Sequence, residues 1–118
     1  MIKGLSTVSV WSEDLNNLLP FYRDSVGLQV TFETPGYVIL GRMDGFHLGI
    51  GTHSDVKGPN MDPARHMVGF ETDDIVAEVQ RMKANGVRFI SEPTTGGPVT
   101  VATFVDPEGN YNQLAQFG

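Results

Sequence analysis

The order of sequence patterns in this chain occurs twice, with a displacement of 60 residues. Apolar and polar residues alternate around Val8 and Val10, and again around Val68 and Phe70, as is typical of a strand. In each half this strand precedes an apolar stripe at helical spacing, a glycine, a further strand and a hairpin. A repeat of whole elements in one order predicts an α+β fold built from two tandem β-α-β-β-β units.

The polar stretch between the two halves sets the expected boundaries. Residues 52–65, "THSDVKGPNMDPAR", contain two prolines and a glycine, which favours a linker or a mobile loop. We expect the first unit over residues 1–51 and the second over residues 66–118. With 118 residues, the chain suits a single domain made of these two units.

The first half predicts one helix between strands. Ser12 or Asp14 suits its N-cap, Gly27 its end, and Pro20 should kink it. A strand is expected from Leu28 to Glu33, then a turn at 35–36. "YVILGRM" and "FHLGIG" flank an Asp-Gly hairpin signal at 44–45. The residues of the predicted apolar stripe are Leu15, Leu18, Leu19, Tyr22 and Val26.

The second half repeats this plan. Thr72 or Asp74 suits the N-cap of a helix whose apolar stripe is Ile75, Val79 and Met82. "VRFI" predicts a strand and "EPTTGGP" a glycine-rich loop. "VTVATFV" and "YNQLAQF" predict a last hairpin around the turn "DPEG". In that turn a proline and a glycine occupy the positions that suit them.

The parity of each first strand predicts which side chains share a face. Val8, Val10, Val68 and Phe70 should face the helices, and the neighbouring residues should face the other way. Each unit alone leaves one sheet face bare, so we expect two units to form an incomplete barrel around a cleft. A sheet face buried in a dimer interface is the alternative. The predicted cleft face mixes polar, aromatic and small groups, as ligand sites do: Thr7, Ser9, Trp11, Met67, Gly69 and Glu71.

Composition excludes several classes of function. The chain has 14 acidic against 8 basic residues and no basic run, so no nucleic-acid partner is expected. It has no cysteine, which removes disulfides, thiolate metal sites and cysteine nucleophiles. No apolar run has the length of a membrane helix. We expect a cytoplasmic protein without a membrane partner.

Three segments carry a resemblance to a known family: "VWSEDLNNLLPFYRDSVGL" (10–28), "VGFETDDIVAEVQRMKANGVRF" (68–89) and "FVDPEGNYNQL" (104–114). In this order they resemble the vicinal oxygen chelate superfamily. That superfamily includes glyoxalase I, bleomycin-resistance proteins, fosfomycin-resistance proteins and extradiol dioxygenases. The resemblance covers nearly the whole chain and implies the glyoxalase-like fold. Because this scaffold serves unrelated chemistries, it does not by itself assign a function.

The resemblance also implies a divalent metal, held by a histidine on a first strand and a glutamate on a last strand. Those positions here hold Thr7, Met67 and Gln113, and in the first unit a place near Leu48, next to His47. Threonine and glutamine are weak ligands, and methionine suits copper(I). We therefore predict no metal cofactor. A displaced divalent-metal site formed by His47, His66 and Glu71 is the alternative.

The first functional hypothesis is a metal-free binding protein similar to the bleomycin-resistance branch. It would hold a small aromatic or cationic natural product in a cleft, between two chains of a homodimer. Trp11 could stack on a flat ligand or pack as core, and Tyr37 could donate a hydroxyl or simply end the sheet. The predicted cleft residues are Thr7, Ser9, Trp11, His47, Met67, Glu71, Tyr111 and Gln113.

The second hypothesis is a metal-dependent lyase, isomerase or dioxygenase of the glyoxalase type that uses the displaced ligands. A third is a metal-free enzyme with Glu71 as general base. No nucleophile or phosphate-loop motif is present to decide among them, so the sequence leaves open whether the chain is an enzyme. Asp14 and Asp74 are explained as helix caps and receive no chemical role.

Overall fold

A computed structural model gives the structure of residues 1–42 and 44–118. Met43, the last residue of the predicted strand "YVILGRM", lies outside the described residues. The chain separates into two units, Met1–Gly58 and Pro59–Gly118, and the division falls inside the polar stretch 52–65.

The first unit contains a four-stranded mixed sheet. Its spatial order is β1-β4-β3-β2, with β1 parallel to β4 and the other pairs antiparallel. The register places Ser9 opposite Gly49, and Gly49 opposite Ile39. The strands are β1 (Thr7–Ser12), β2 (Val30–Thr34), β3 (Tyr37–Gly41) and β4 (His47–Thr52).

The predicted first helix is irregular. A 3-10 helix at Leu15–Asn17 is followed by a π-helix at Phe21–Ser25, so the expected continuous kinked helix was wrong. Pro20 lies between the two and has no N–H to donate, which removes one bond of an α-helical ladder. Before Pro20, the Leu18 N–H donates a hydrogen bond to the Leu15 carbonyl, three residues back. After Pro20, the Val26 N–H donates to the Phe21 carbonyl, five residues back.

This helical segment (residues 15–25) still buries the predicted apolar stripe in part. Leu18, Leu19 and Tyr22 are buried, whereas Leu15 and Val26 are half-buried. Apolar residues of β3 and β4 that share one strand parity are buried as well, and they supply the sheet side of this core: Val38, Leu40, Leu48 and Ile50. Strand parity therefore divides the first sheet into a helix-facing side and an opposite side, which we call the far face.

The second unit repeats the arrangement with one regular helix. Its sheet order is β5-β8-β7-β6, and β5 is parallel to β8. The buried residues Ile75, Val79 and Met82 confirm the predicted helical stripe, and Phe104 and Leu114 are buried on the sheet. The elements are β5 (Val68–Glu71), α1 (Ile75–Ala84), β6 (Arg88–Gly96), β7 (Val99–Val105) and β8 (Tyr111–Phe117).

The segment "EPTTGGP" is not the loop that its composition predicted. Strand β6 continues to Gly96, and Thr94, Thr95 and Gly96 pair with β7. Pro93 is tolerated because β6 is an edge strand and the register shifts between Ser91 and Thr94. The turn lies only between Gly96 and Val99, so loop-forming residues were outweighed here by the ladder to β7.

The final turn and both helix starts are as predicted. The Asp106 carboxylate accepts hydrogen bonds from the backbone N–H groups of Glu108 and Asn110, each at 2.9 Å. Gly109 has φ of 83°, a left-handed conformation that favours glycine. Asp14 and Asp74 accept from Asn16 N–H and Ala77 N–H, which identifies them as the N-caps.

The predicted fold class is therefore confirmed: each half is a β-helix-β-β-β unit with a four-stranded mixed sheet. Within residues 1–42 and 44–118, no helix combines the length and the apolar character needed to cross a bilayer.

Candidate functional site

The far face of the first sheet brings an aromatic and polar set together. Residues Ser9 and Trp11 alternate with the helix-facing valines of β1, as predicted. The register sets Trp11 opposite Gly51, and Gly51 opposite Tyr37 on the next strand. Three neighbouring strands thus place one indole and one phenol on either side of a glycine.

Trp11, Tyr37 and His53 form what we call the aromatic platform. The ring centroids of Trp11 and Tyr37 are 5.5 Å apart with an interplanar angle of 35°. His53 meets Trp11 edge-on, with ring centroids 5.6 Å apart. Trp11 remains 39% exposed, so the indole is supported by its neighbours yet accessible to a ligand.

Two glycines of β4 make room for these rings. A Cβ atom on Gly51 would lie 2.5 Å from Trp11 Cζ3 and 2.7 Å from Tyr37 Cδ1. A Cβ atom on Gly49 would lie 1.8 Å from the Tyr37 hydroxyl oxygen. Real Cβ contacts are never this short, so the two rings occupy the space that side chains at these positions would fill.

A hydroxyl pair lies at one side of the platform. Ser9 Oγ and Tyr37 Oη are 3.0 Å apart, and either can donate to the other. Both residues are half-buried. The phenol of Tyr37 is therefore fixed by a ring contact with Trp11 and by a hydrogen bond to Ser9.

The two histidines of this unit differ in tautomer. His47 Nδ1 lies 2.9 Å from the Gly45 carbonyl, and because a carbonyl only accepts, Nδ1 is the protonated nitrogen. His53 Nδ1 instead accepts from the Asp55 backbone N–H at 3.0 Å. The His53 ring is thus fixed by a backbone hydrogen bond to its Nδ1 atom and by its contact with Trp11.

The equivalent face of the second sheet has a polar row at its centre. Its register aligns Gly69, Gln113 and Thr103 across three strands, and Glu71 is opposite Ala115. A Cβ atom on Gly69 would have no heavy atom within 4 Å, so this glycine borders open space. Met67 immediately precedes β5 and Tyr111 begins β8. The structure thus places the four predicted residues of this unit on or beside one face.

The register corrects one predicted position. Gly69 is opposite Gln113 in the second sheet, and Ser9, 60 residues before Gly69, is opposite Gly49. The first-unit equivalent of Gln113 is therefore Gly49 and not Leu48. Leu48 is buried on the helix-facing side because one step along a strand reverses the side chain.

The donor set does not fit the metal that the family resemblance implies. Gly49 has no side chain to offer, and Gln113 offers a neutral amide in place of a carboxylate. Among the residues that the structure describes, no three His, Cys, Asp or Glu side chains form a metal-binding group. The alternative set of His47, His66 and Glu71 stays a prediction, and no chemical step is derived through a metal.

Sequence reasoning identified Ser9 and Trp11 but missed how the site is assembled. Gly49 and Gly51 were not singled out, although the alternation in "HLGIG" places two glycines on one strand face. His53 was assigned to the polar loop, and the structure sets it against Trp11. These contacts join residues on different strands and in a loop, so the residue pattern alone does not reveal them.

Resolved pKa shifts lie outside the platform. Hydrogen bonding to Arg23 lowers the pKa of the Asp24 carboxyl below its ordinary value. Hydrogen bonding to Arg42 likewise lowers the pKa of Asp44. Both acids are exposed, and their ion pairs belong to the surface of the first unit.

A separate groove of about 430 Å³ lies on the helix-facing side of the first unit. It lies between the helical segment and the β2–β3 hairpin, and Val38 forms part of its floor. Because Val38 and Tyr37 point to opposite faces of β3, this groove is distinct from the platform.

Known proteins are similar to this chain in sequence or in fold. A Bacillus subtilis (strain 168) protein, YetH, described as uncharacterized, is 28% identical over 120 residues, covering 98% of this chain and all of that protein. TnmS3, described as an antibiotic binding protein from Streptomyces sp. CB03234, superposes with a TM-score of 0.76 at 24% identity over 99% of this chain and 98% of that one. A glyoxalase/bleomycin resistance protein/dioxygenase family enzyme from Burkholderia phytofirmans PsJN gives a TM-score of 0.74 at 19% identity, over 96% and 98% of the two chains.

A family model matches nearly the whole chain and agrees with these likenesses. Its match spans residues 4–114, which includes both β-helix-β-β-β units. The predicted resemblance is therefore confirmed: this chain belongs to the Glyoxalase/Bleomycin resistance protein/Dioxygenase superfamily.

Proposed function

We propose that this chain is a metal-free small-molecule-binding protein that holds a small, planar aromatic or cationic natural product against the aromatic platform. The observation that carries the proposal is the Trp11–Tyr37 pair. The two rings cover Gly49 and Gly51, where a Cβ atom would clash with them, and the indole is still 39% exposed. A supported, accessible indole offers a flat π surface to a ring and an attractive face to a cation.

The chemistry of the neighbouring groups supports binding over catalysis. Around the platform the structure provides hydroxyls and an imidazole, which orient a ligand. The family's metal positions hold a glycine and an amide, which supply no charge to a metal. The similarity in fold to TnmS3, described as antibiotic binding, is consistent with this reading.

The remaining predicted residues belong to the same proposal. We infer that Thr7 and His47 extend the contact surface beyond Ser9, and that Met67, Glu71, Tyr111 and Gln113 contribute from the second unit. The homodimer and the shared cleft expected from the sequence are also part of this proposal. Sedimentation velocity, with and without a bound probe, measures the oligomeric state directly.

Calorimetric titration with two cationic probes, the planar ring 9-aminoacridine and the glycopeptide bleomycin, tests the proposal. We expect saturable binding of at least one probe and a rise in Tm, because a ligand that binds only the folded state stabilises it by about 2.7 kcal/mol at 100 times its Kd. Trp11→Ala should weaken binding about tenfold or more. Phe117→Ala, which removes another exposed aromatic ring, is the matched control.

Metal analysis of the purified protein separates the proposal from the glyoxalase-type enzyme. Binding that is unchanged by a chelator, in a protein without stoichiometric metal, agrees with the proposal. Stoichiometric nickel, zinc, iron or manganese that is lost on His47→Ala or His66→Ala would overturn it in favour of the metal-dependent alternative.

A further inference from the structure

The hydroxyl pair of Ser9 and Tyr37 places polar atoms at one side of the aromatic platform. We propose that the Ser9–Tyr37 hydroxyl pair determines the specificity of this site, and that it selects planar aromatic ligands carrying a carbonyl or another oxygen acceptor at the ring edge. This inference rests on the proposed function, since it concerns the ligand class of the same platform. It goes further by predicting which planar molecules bind and which protein groups recognise them.

The Tyr37 hydroxyl is held in place before any ligand arrives. Its ring packs on Trp11 at a centroid separation of 5.5 Å and covers Gly51 and Gly49. Its oxygen is bonded to Ser9 Oγ at 3.0 Å. A polar group fixed in this way loses little freedom on binding, so its hydrogen bond contributes more to affinity than that of a mobile side chain.

The proton count of the pair predicts what it offers. Two hydroxyls carry two protons, and the bond between Ser9 and Tyr37 uses one. In the described part of the chain neither hydroxyl has a further side-chain partner. One O–H donor is therefore available beside the aromatic surface. A carbonyl, ether or phenol oxygen can accept it, whereas a bare hydrocarbon ring or an ammonium group cannot.

The position of this donor follows from the missing side chain at residue 49. The Tyr37 oxygen lies 1.8 Å from where a Cβ of residue 49 would begin. Gly49 is the first-unit equivalent of Gln113, the position where the family resemblance places a metal ligand. The space over Gly49 is thus filled by the phenol of Tyr37 from β3, which with Ser9 recognises a ligand oxygen by hydrogen bonding.

The test compares two rings that differ by one carbonyl, 9-fluorenone and fluorene, each titrated at micromolar concentration with Trp11 fluorescence as the readout. Trp11 is the only tryptophan, so quenching reports the platform alone. Wild-type protein should bind 9-fluorenone about five- to tenfold more tightly than fluorene, the range of one added hydrogen bond. Tyr37→Phe alone leaves the Ser9 O–H in place, so the deciding variant combines Ser9→Ala with Tyr37→Phe. It keeps the ring but has no donor left, so 9-fluorenone and fluorene should bind to it with equal affinity.

Thr100→Val is the matched control, because Thr95 and Thr100 form another hydroxyl pair, at 2.8 Å, in the second unit. It should keep the wild-type preference. Equal binding of the two probes by wild-type protein, or a preference that survives the double variant Ser9→Ala, Tyr37→Phe, overturns the inference and leaves the proposed function standing. If neither probe quenches Trp11, ring binding at the platform is itself refuted. The wild-type ratio alone can refute the inference, so the test does not depend on the variant folding.

Discussion

Trp11 and Tyr37 lie side by side over Gly51, and an added Cβ at that glycine would meet the indole at 2.5 Å and the phenol ring at 2.7 Å. The aromatic platform therefore depends on the glycine at residue 51, which leaves room for the two rings. A side chain at residue 51 would therefore have to displace both rings from the sheet.

Gly51→Ala should destabilise the protein by about 1–3 kcal/mol, since the new methyl group forces both rings from their positions. Urea unfolding measures the change. Gly69→Ala is the matched control, because its Cβ would meet nothing within 4 Å and its strand backbone suits alanine. Equal losses in the two variants would contradict the packing that the structure gives to Gly51.

The contact between Trp11 and Tyr37 should be measurable as a coupling energy. We expect a double-mutant cycle of Trp11→Ala and Tyr37→Ala to give about 0.5–1.5 kcal/mol, the range of aromatic pairs at this distance. Unfolding in urea of the four proteins supplies the cycle. Strict additivity of the two single changes would show that the rings do not support each other.

Asp74 should stabilise helix α1 through one hydrogen bond, because its carboxylate accepts from Ala77 N–H at 3.1 Å. Asp74→Ala should lower the free energy of unfolding by about 1 kcal/mol. Asp73→Ala removes the adjacent exposed carboxylate, which is not the N-cap, and should change stability much less. A thermal melt of each variant compares them, and a larger effect at residue 73 would contradict the capping role.

The pKa of Asp24 should depend on Arg23, whose guanidinium donates to the carboxylate at 2.9 Å. Arg23→Gln should raise that pKa toward its ordinary value of about 3.9, as measured by an NMR titration. A lowered folded-state pKa stabilises the protein above the unfolded pKa, and this contribution disappears as pH falls through the folded value. Because the pair is exposed, the pH effect on stability should be small and weakened by salt. An unchanged pKa in the variant would show that the pair does not form in solution.

The repeat made most of the fold predictable, since strand parity and helix caps are local properties of sequence. Val79 and Met82 were correctly placed in the core because their spacing follows the helical period. Two errors had different causes, one local and one non-local. Pro20 divided the first helical segment into two irregular turns, and pairing with β7 drew Thr94 and Thr95 into a strand.

The candidate site was predictable only in its parts. Parity placed Ser9 and Trp11 on one face, but it could not show that Tyr37 on β3 covers Gly49 on the adjacent strand β4. That arrangement depends on the register of β3 against β4, which the hairpin fixes and the residue pattern does not. The same lack of register led to Leu48 instead of Gly49 as the equivalent of Gln113.

The space that Tyr37 takes over Gly49 also constrains how this protein can evolve. A glutamate at residue 49 would collide with the phenol, and a smaller residue at 37 would leave Trp11 without its neighbour. Each change alone therefore disturbs the packing of the aromatic platform. Positions 37 and 49 are thus epistatic: a larger side chain at residue 49 is tolerated only together with a smaller one at residue 37.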